Sequence, residues 1–150
     1  MFEVLKMAEK NVEHVEDKAE EKTRAFFARE FDFTFATLDD LIQFFDSLRE
    51  LTHHLTESHY YSENVNKKVM VITFDLHACG LELKQLELEG NEFFNEGQKA
   101  FFAGKEPQID RKVFGAFVQK CQTSKKAVLE LNDSLKNLVK EIKKEYSEKI

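Results

Sequence analysis

The sequence predicts an all-α fold: an up-down-up-down antiparallel four-helix bundle, one domain over residues 1–150, with a long hairpin formed by the third and fourth helices. Three observations predict it. Apolar residues recur at spacings of three and four through four long segments. Five glycines and one proline are too few for an all-β chain, which needs a turn roughly every 8–12 residues. A hydrophobic fraction of 42% beside a charged fraction of 33% is too apolar for a disordered chain and too charged for a membrane protein.

The first helix covers about residues 2–30, on the stripe Leu5, Ala8, Val12, Val15, Ala19 and Phe26. Phe31, Phe33 and Phe35 then alternate with polar residues, which predicts an extended piece over 31–37. Thr37 is placed to cap the second helix, with Asp39 and Asp40 in its first turn, where the helix dipole favours acids. That helix runs to about residue 60 on Leu41, Phe45, Leu48 and Leu55.

Ser62 or Asn64 caps the third helix. Its stripe is Val65, Val69, Ile72, Leu76, Cys79, Leu83, Leu86, Gly90, Phe93, Gly97 and Phe101. The run VMVITF alone would suit a buried strand, but the heptad on both sides of it decides for one helix over 65–102. Gly104 and Pro107 end that helix. The fourth helix, about 109–148, carries Val113, Phe117, Cys121, Ser124, Val128, Leu131, Leu135, Leu138, Ile142 and Tyr146.

If residue 102 lies opposite 109 in the hairpin, Gly97 faces Phe114, Gly90 faces Cys121, Leu83 faces Val128 and Leu76 faces Leu135. Small side chains then meet large ones, as a dense core requires. This register separates Cys79 from Cys121 by roughly 17 Å along the axis. A disulfide needs Cα atoms within about 7 Å, so two free thiols are expected. The in-stripe glycines have two readings. They admit Phe114, Phe117 or a ring from another helix, or they line a ligand cavity near Gly90, Gly97 and Cys121. Phe93, Phe94, Phe101, Phe102, Phe114 and Phe117 gather near the hairpin's closed end. The shorter first two helices are expected to stop about 14 Å short of it. The tip is then either capped by Phe31, Phe33 and Phe35 or left as an apolar partner-binding patch carrying Phe94, Phe101 and Phe102.

The charge pattern narrows the function classes. The net charge is −6. Only residues 120–150 are net basic, with 8 Lys against 5 Asp and Glu, and their lysines alternate with Glu141, Glu145 and Glu148. That pattern describes a solvated helix face better than a phosphate-binding footprint, so nucleic acid is not an expected partner. Glu82, Glu87, Glu89, Glu92 and Glu96 mark an acidic outer face on the third helix, a solubilising face or a dock for a basic partner. No apolar run reaches the roughly 20 residues that span a bilayer, and the amino-terminal residues alternate apolar with charged. A cytoplasmic location is therefore expected, with an excised extracytoplasmic sensor domain as the alternative. The alternative rests on both chain ends falling at one end of the bundle, as in sensor domains of bacterial receptors.

Bundles of the ferritin type hold two metals with paired Glu-x-x-His motifs. One such motif is present, Glu50 to His53, with His54, Glu57 and His59 nearby. Turning 100° per residue puts Glu50, His53, His54 and Glu57 opposite the core and only His59 toward it. A surface cluster is expected, with no resident cofactor or metal. Cys79 among leucines reads as an inert small hydrophobe. These features favour a non-enzymatic helical-bundle module for protein interaction or ligand sensing, of signal-transduction or adaptor type. Its partner is another protein or a second copy in a homodimer. The alternatives are a degenerate ferritin-like bundle binding a metal or small ligand and, less favoured, a helical subunit of a nucleoprotein complex.

Overall fold

The structure, a computed structural model, describes the backbone of residues 2–31, 35–57 and 61–148. Side chains are described for residues 15, 17–30, 37–57 and 61–148. The fold is an all-α four-helix bundle, with no strand among the described residues. Its helices are α1 (Phe2–Phe31), α2 (Phe35–Thr56), α3 (Glu63–Phe102) and α4 (Arg111–Glu148), and α3 packs closely on α4. The chain divides into two compact units. One holds Met1–Leu38 and Leu86–Gln119, the other Asp39–Gln85 and Lys120–Ile150.

Local chemistry sets the ends of α3 and α4. Ser62 starts α3: its Oγ accepts from the Val65 amide at 3.2 Å, and its carbonyl accepts from Asn66 at 2.9 Å. Gly104 ends α3 with φ of 73°, a left-handed conformation that a β-carbon disfavours. The Gly104 amide donates to the Phe101 carbonyl at 3.0 Å and the Lys105 amide to Ala100 at 2.8 Å. This pair of bonds is the Schellman closure of a helix. Asp110 starts α4, its carboxylate accepting from the amides of Lys112 and Val113 at 2.9 and 3.4 Å. The fourth helix thus begins two residues later than the sequence suggests.

In the first unit the core is aromatic. Phe27 of α1 is fully buried and stacks on Phe114 of α4, with centroids 5.0 Å apart. Phe93 of α3 meets Phe114 edge-on at 4.9 Å and Phe117 at 5.3 Å. The small residue opposing a ring is Gly97, but the ring belongs to α1. A β-carbon at Gly97 would lie 2.8 Å from Thr23 Cγ2 and 3.1 Å from Phe27 Cε2. The nearest atoms to the Gly97 notch thus come from α1 rather than from Phe114.

The second unit packs α2 against the amino-terminal part of α3 and the carboxy-terminal part of α4. Phe45, Leu48 and Thr52 of α2 are buried, as are Val65, Val69, Ile72, Leu76, Cys79 and Leu83 of α3. Cys121, Ser124, Val128, Leu131, Leu135 and Leu138 complete it from α4. Gly80 lets the Phe45 ring approach to 3.1 Å of where its β-carbon would stand. At the open end of the hairpin Ser62 donates to Glu145 at 2.6 Å and Lys68 to Glu141 at 2.6 Å. These contacts lie within about one helical turn of the expected register.

Several sequence expectations need correction. The extended piece over 31–37 is not extended: Phe31 ends α1, and α2 already includes Phe35 to Thr37. A two-residue alternation this short is outweighed by the 4-3-3-4 spacing of Leu38, Ile42, Phe45, Leu48 and Thr52. Thr37 therefore does not cap α2, and no acid lies in its first turn. Phe33 and the side chains of Phe31 and Phe35 fall outside the described residues, and so does a cap formed from them. The helix also stops at Thr56 rather than near 60. On α1 the buried line is Ala19, Thr23 and Phe27, while Val15 is exposed. Thr23 serves as a core residue because its hydroxyl donates to the Ala19 carbonyl at 2.6 Å. Leu5, Ala8 and Val12 have no described side chains. On α4, Phe114 takes the buried place assigned to Val113, and Tyr146 is exposed.

The notch at Gly97 sets a test. Gly97→Ala should cost about 1–3 kcal/mol through overpacking, although alanine is the better helix former. Thr23→Ser removes the methyl that the new β-carbon strikes and should recover part of the loss in urea denaturation. Stabilisation by Gly97→Ala alone would show that the notch is not tight.

Candidate functional site

The residues predicted to bind a partner lie at the closed end of the α3–α4 hairpin, in the first unit. They do not form one open patch. Phe94 is half-buried with the Arg24 guanidinium 5.3 Å from its ring centre. Phe101 is half-buried, edge-on to Phe26 at 6.0 Å. Phe102 alone of the three is exposed, and Val113 of α4 is exposed as well. The reason is that α1 does not stop short of this end. Its last turns supply Phe26, Phe27 and Glu30, and Arg111 at the start of α4 reaches Glu30 at 3.7 Å. The expected gap of about 14 Å assumed helices aligned from the open end. Beside that ion pair is a shallow cleft of about 480 Å³ bordered by Phe26, Glu30, Pro107, Ile109 and Arg111.

At Gly97 the space beside the glycine is occupied. Gly90 and Gly97 are buried, and the room beside Gly97 is taken by Thr23 and Phe27. Cys121, counted with them from the sequence, is buried in the second unit. Cys79 and Cys121 are both free thiols, as the register predicted. Burial pushes the Cys79 thiol above its ordinary pKa, and the nearby Glu82 carboxylate adds to the rise. A thiol so held stays protonated near neutral pH and is a poor nucleophile.

Glu50, His53, His54 and Glu57 are exposed near the end of α2. His53 Nε2 lies 3.2 Å from Glu57 Oε1, and His54 Nδ1 lies 4.0 Å from Glu57 Oε2. Among the described residues no group of three or more His, Cys, Asp or Glu is arranged to hold a metal ion. His59 lies outside those residues. No helix among the described residues is long and apolar enough to cross a membrane.

A further surface was missed from the sequence. α3 exposes Met70, Val71, Phe74, Leu81 and Leu88, all on a helix that already buries a complete heptad seam. The signal was present as a second series, offset from the first, through 70, 74, 77, 81, 84 and 88. It was hidden because His77 and Lys84 interrupt it. Next to it in the second unit a groove of about 560 Å³ runs between α3 and α4, bordered by Lys67, Val71, Ile72, Asn137 and Leu138.

Comparison with family models, with curated proteins and with solved structures finds no match to this chain.

The thiols provide a test. Neither Cys79 nor Cys121 should react with a disulfide reagent at neutral pH until the chain unfolds, so modification should follow the unfolding rate. For Cys79 the raised pKa implies stability that is whole below the unfolded-state value and is lost as pH rises through the folded-state value. Cys79→Ala should flatten that alkaline loss in a pH series of urea midpoints.

Proposed function

We propose that this chain is a non-enzymatic helical-bundle module that works through protein–protein contact, of adaptor or signal-transduction type. One observation carries the reading: the row of large apolar side chains on the outer face of α3, Met70, Phe74, Leu81 and Leu88. Single exposed apolar residues are ordinary on any surface. A row at heptad spacing, on a helix whose other face is already filled, is the pattern of a helix that takes a partner. Phe102 and Val113 add a smaller exposed pair in the first unit.

The polar groups lend little support to chemistry. His53 and His54 are paired with Glu57 in solvent, and the Cys79 thiol is buried and protonated. A degenerate ferritin-like bundle would have to draw on that exposed cluster. The acidic balance of the chain, −6, favours a protein partner over nucleic acid.

Two measurements test this reading. Elemental analysis of untagged protein is expected to find no stoichiometric metal, and an iron pair per chain would overturn the proposal. Phe74→Ser and Phe102→Ser are each expected to change folding stability by no more than about 0.5 kcal/mol, as surface positions do. A loss above about 2 kcal/mol at both would make these rings structural supports and remove the basis for an interaction face.

A further inference from the structure

Resting on the interaction reading, we propose that the outer face of α3 is the interface of an antiparallel homodimer, with the two-fold axis passing near residue 79. The face belongs to one unbroken helix of 40 residues. Met70, Phe74, Leu81 and Leu88 are 59%, 68%, 59% and 56% exposed. They occupy a heptad series with His77 and Lys84, the knob positions of a coiled-coil seam.

The series is symmetric about position 79. Met70 and Leu88 lie equally far from it, as do Phe74 and Lys84, and His77 and Leu81. An antiparallel pair about that point is isologous, each contact occurring twice. It sets Met70 against Leu88 of the second copy and His77 against Leu81 of the second copy. The Phe74 ring lies against Lys84 of the second copy, whose methylene stem can cover the ring while its ammonium stays in water.

Charge selects the second copy and its direction. Lys67 borders the amino-terminal end of the stripe, and the exposed Glu92 borders its carboxy-terminal end. Antiparallel pairing brings Lys67 of each copy beside Glu92 of the other. Parallel pairing would set lysine against lysine and glutamate against glutamate, which is unfavourable. Glu92 of the acidic face thus meets a basic residue of the same helix, turned end for end.

The area is consistent with a modest dimer. The four apolar side chains expose about 500 Å² together, near the upper range for the largest patch on a monomer. A standard interface takes roughly 800 Å² per partner, so the flanking Lys67, His77, Lys84, Gln85 and Glu92 would complete the contact. Contacts of that size with few aromatic anchors correspond to dissociation constants of about micromolar order.

The test is sedimentation equilibrium of the full chain over a wide concentration range, with helicity followed by circular dichroism. Wild type is expected to dimerise, and Phe74→Glu to be monomeric with unchanged helicity. Lys67→Glu alone and Glu92→Lys alone are each expected to weaken dimerisation about tenfold. The Lys67→Glu, Glu92→Lys double variant is expected to recover it, a rescue that does not depend on how Phe74→Glu folds. Mixing Met70→Cys with Leu88→Cys protein under oxidation should yield the mixed disulfide, and Met70→Cys protein alone should yield none. A wild-type monomer throughout overturns the dimer while leaving contact with a different protein open to the separate tests above. A disulfide between two Met70→Cys copies, or a dimer lost with Phe102→Ser but kept with Phe74→Glu, overturns the face or its direction.

Discussion

The pairing of α3 with α4 is the constraint the other elements obey. Each is about 40 residues of continuous helix with a heptad seam, and a short connection brings the seams together. The connection is held at both ends by the backbone itself. Gly104 accepts a left-handed conformation that closes α3, and the Asp110 carboxylate satisfies the first free amides of α4. Neither device involves a distant contact, so the hairpin is specified by local sequence before α1 or α2 is placed. In each unit the remaining helix fills the third side of what the pair presents.

The two units solve that third side differently. The first relies on rings: Phe27, Phe93, Phe114 and Phe117 interlock at centroid distances of 4.9 to 5.7 Å. The second relies mostly on aliphatic side chains, with Phe45 over Gly80 as its aromatic element. Both bury hydroxyls without strain. Thr23 and Thr52 donate to carbonyls one turn back in their own helices, at 2.6 and 2.9 Å. Among the described residues no buried side-chain nitrogen or oxygen lacks a partner. A hydroxyl satisfied within its own helix presents only its methyl to the neighbour, so a polar residue behaves as a small hydrophobe.

That self-satisfaction explains much of what was and was not legible in the sequence. Every stripe position on α3 from Val65 to Leu86 is buried as read, because a long heptad averages over local noise. The free thiols followed from the same register. Thr23 was unreadable as core, since its composition signal is polar and its satisfaction is visible only in three dimensions. Phe26 was chosen over Phe27 for the same reason: without Thr23 in the stripe the phase of α1 slips by one residue. The slip at Phe31–Thr37 came from reading a short alternation as a strand signal. The candidate site was less legible than the fold. The sequence singled out Phe94, Phe101 and Phe102, yet α1 covers two of them, because burial depends on which part of the hairpin α1 lies against. The α3 outer row is hard to read because His77 and Lys84 break it beside an unbroken buried seam.

The notch at Gly97 also bears on how α1 is indexed along its neighbours. The described helix contacts in the first unit are mostly ring against ring or methyl against ring, and such contacts carry little directional information. A helix held by them alone could creep by a turn, about 5.4 Å, and find comparable greasy neighbours. The missing side chain at Gly97 behaves as a detent. Only at a single setting do Thr23 and Phe27 drop into it, and a creep in either direction would drive the Phe27 ring onto a neighbour with a full side chain. Axial precision in an otherwise slippery layer is thus delegated to one absent methyl group.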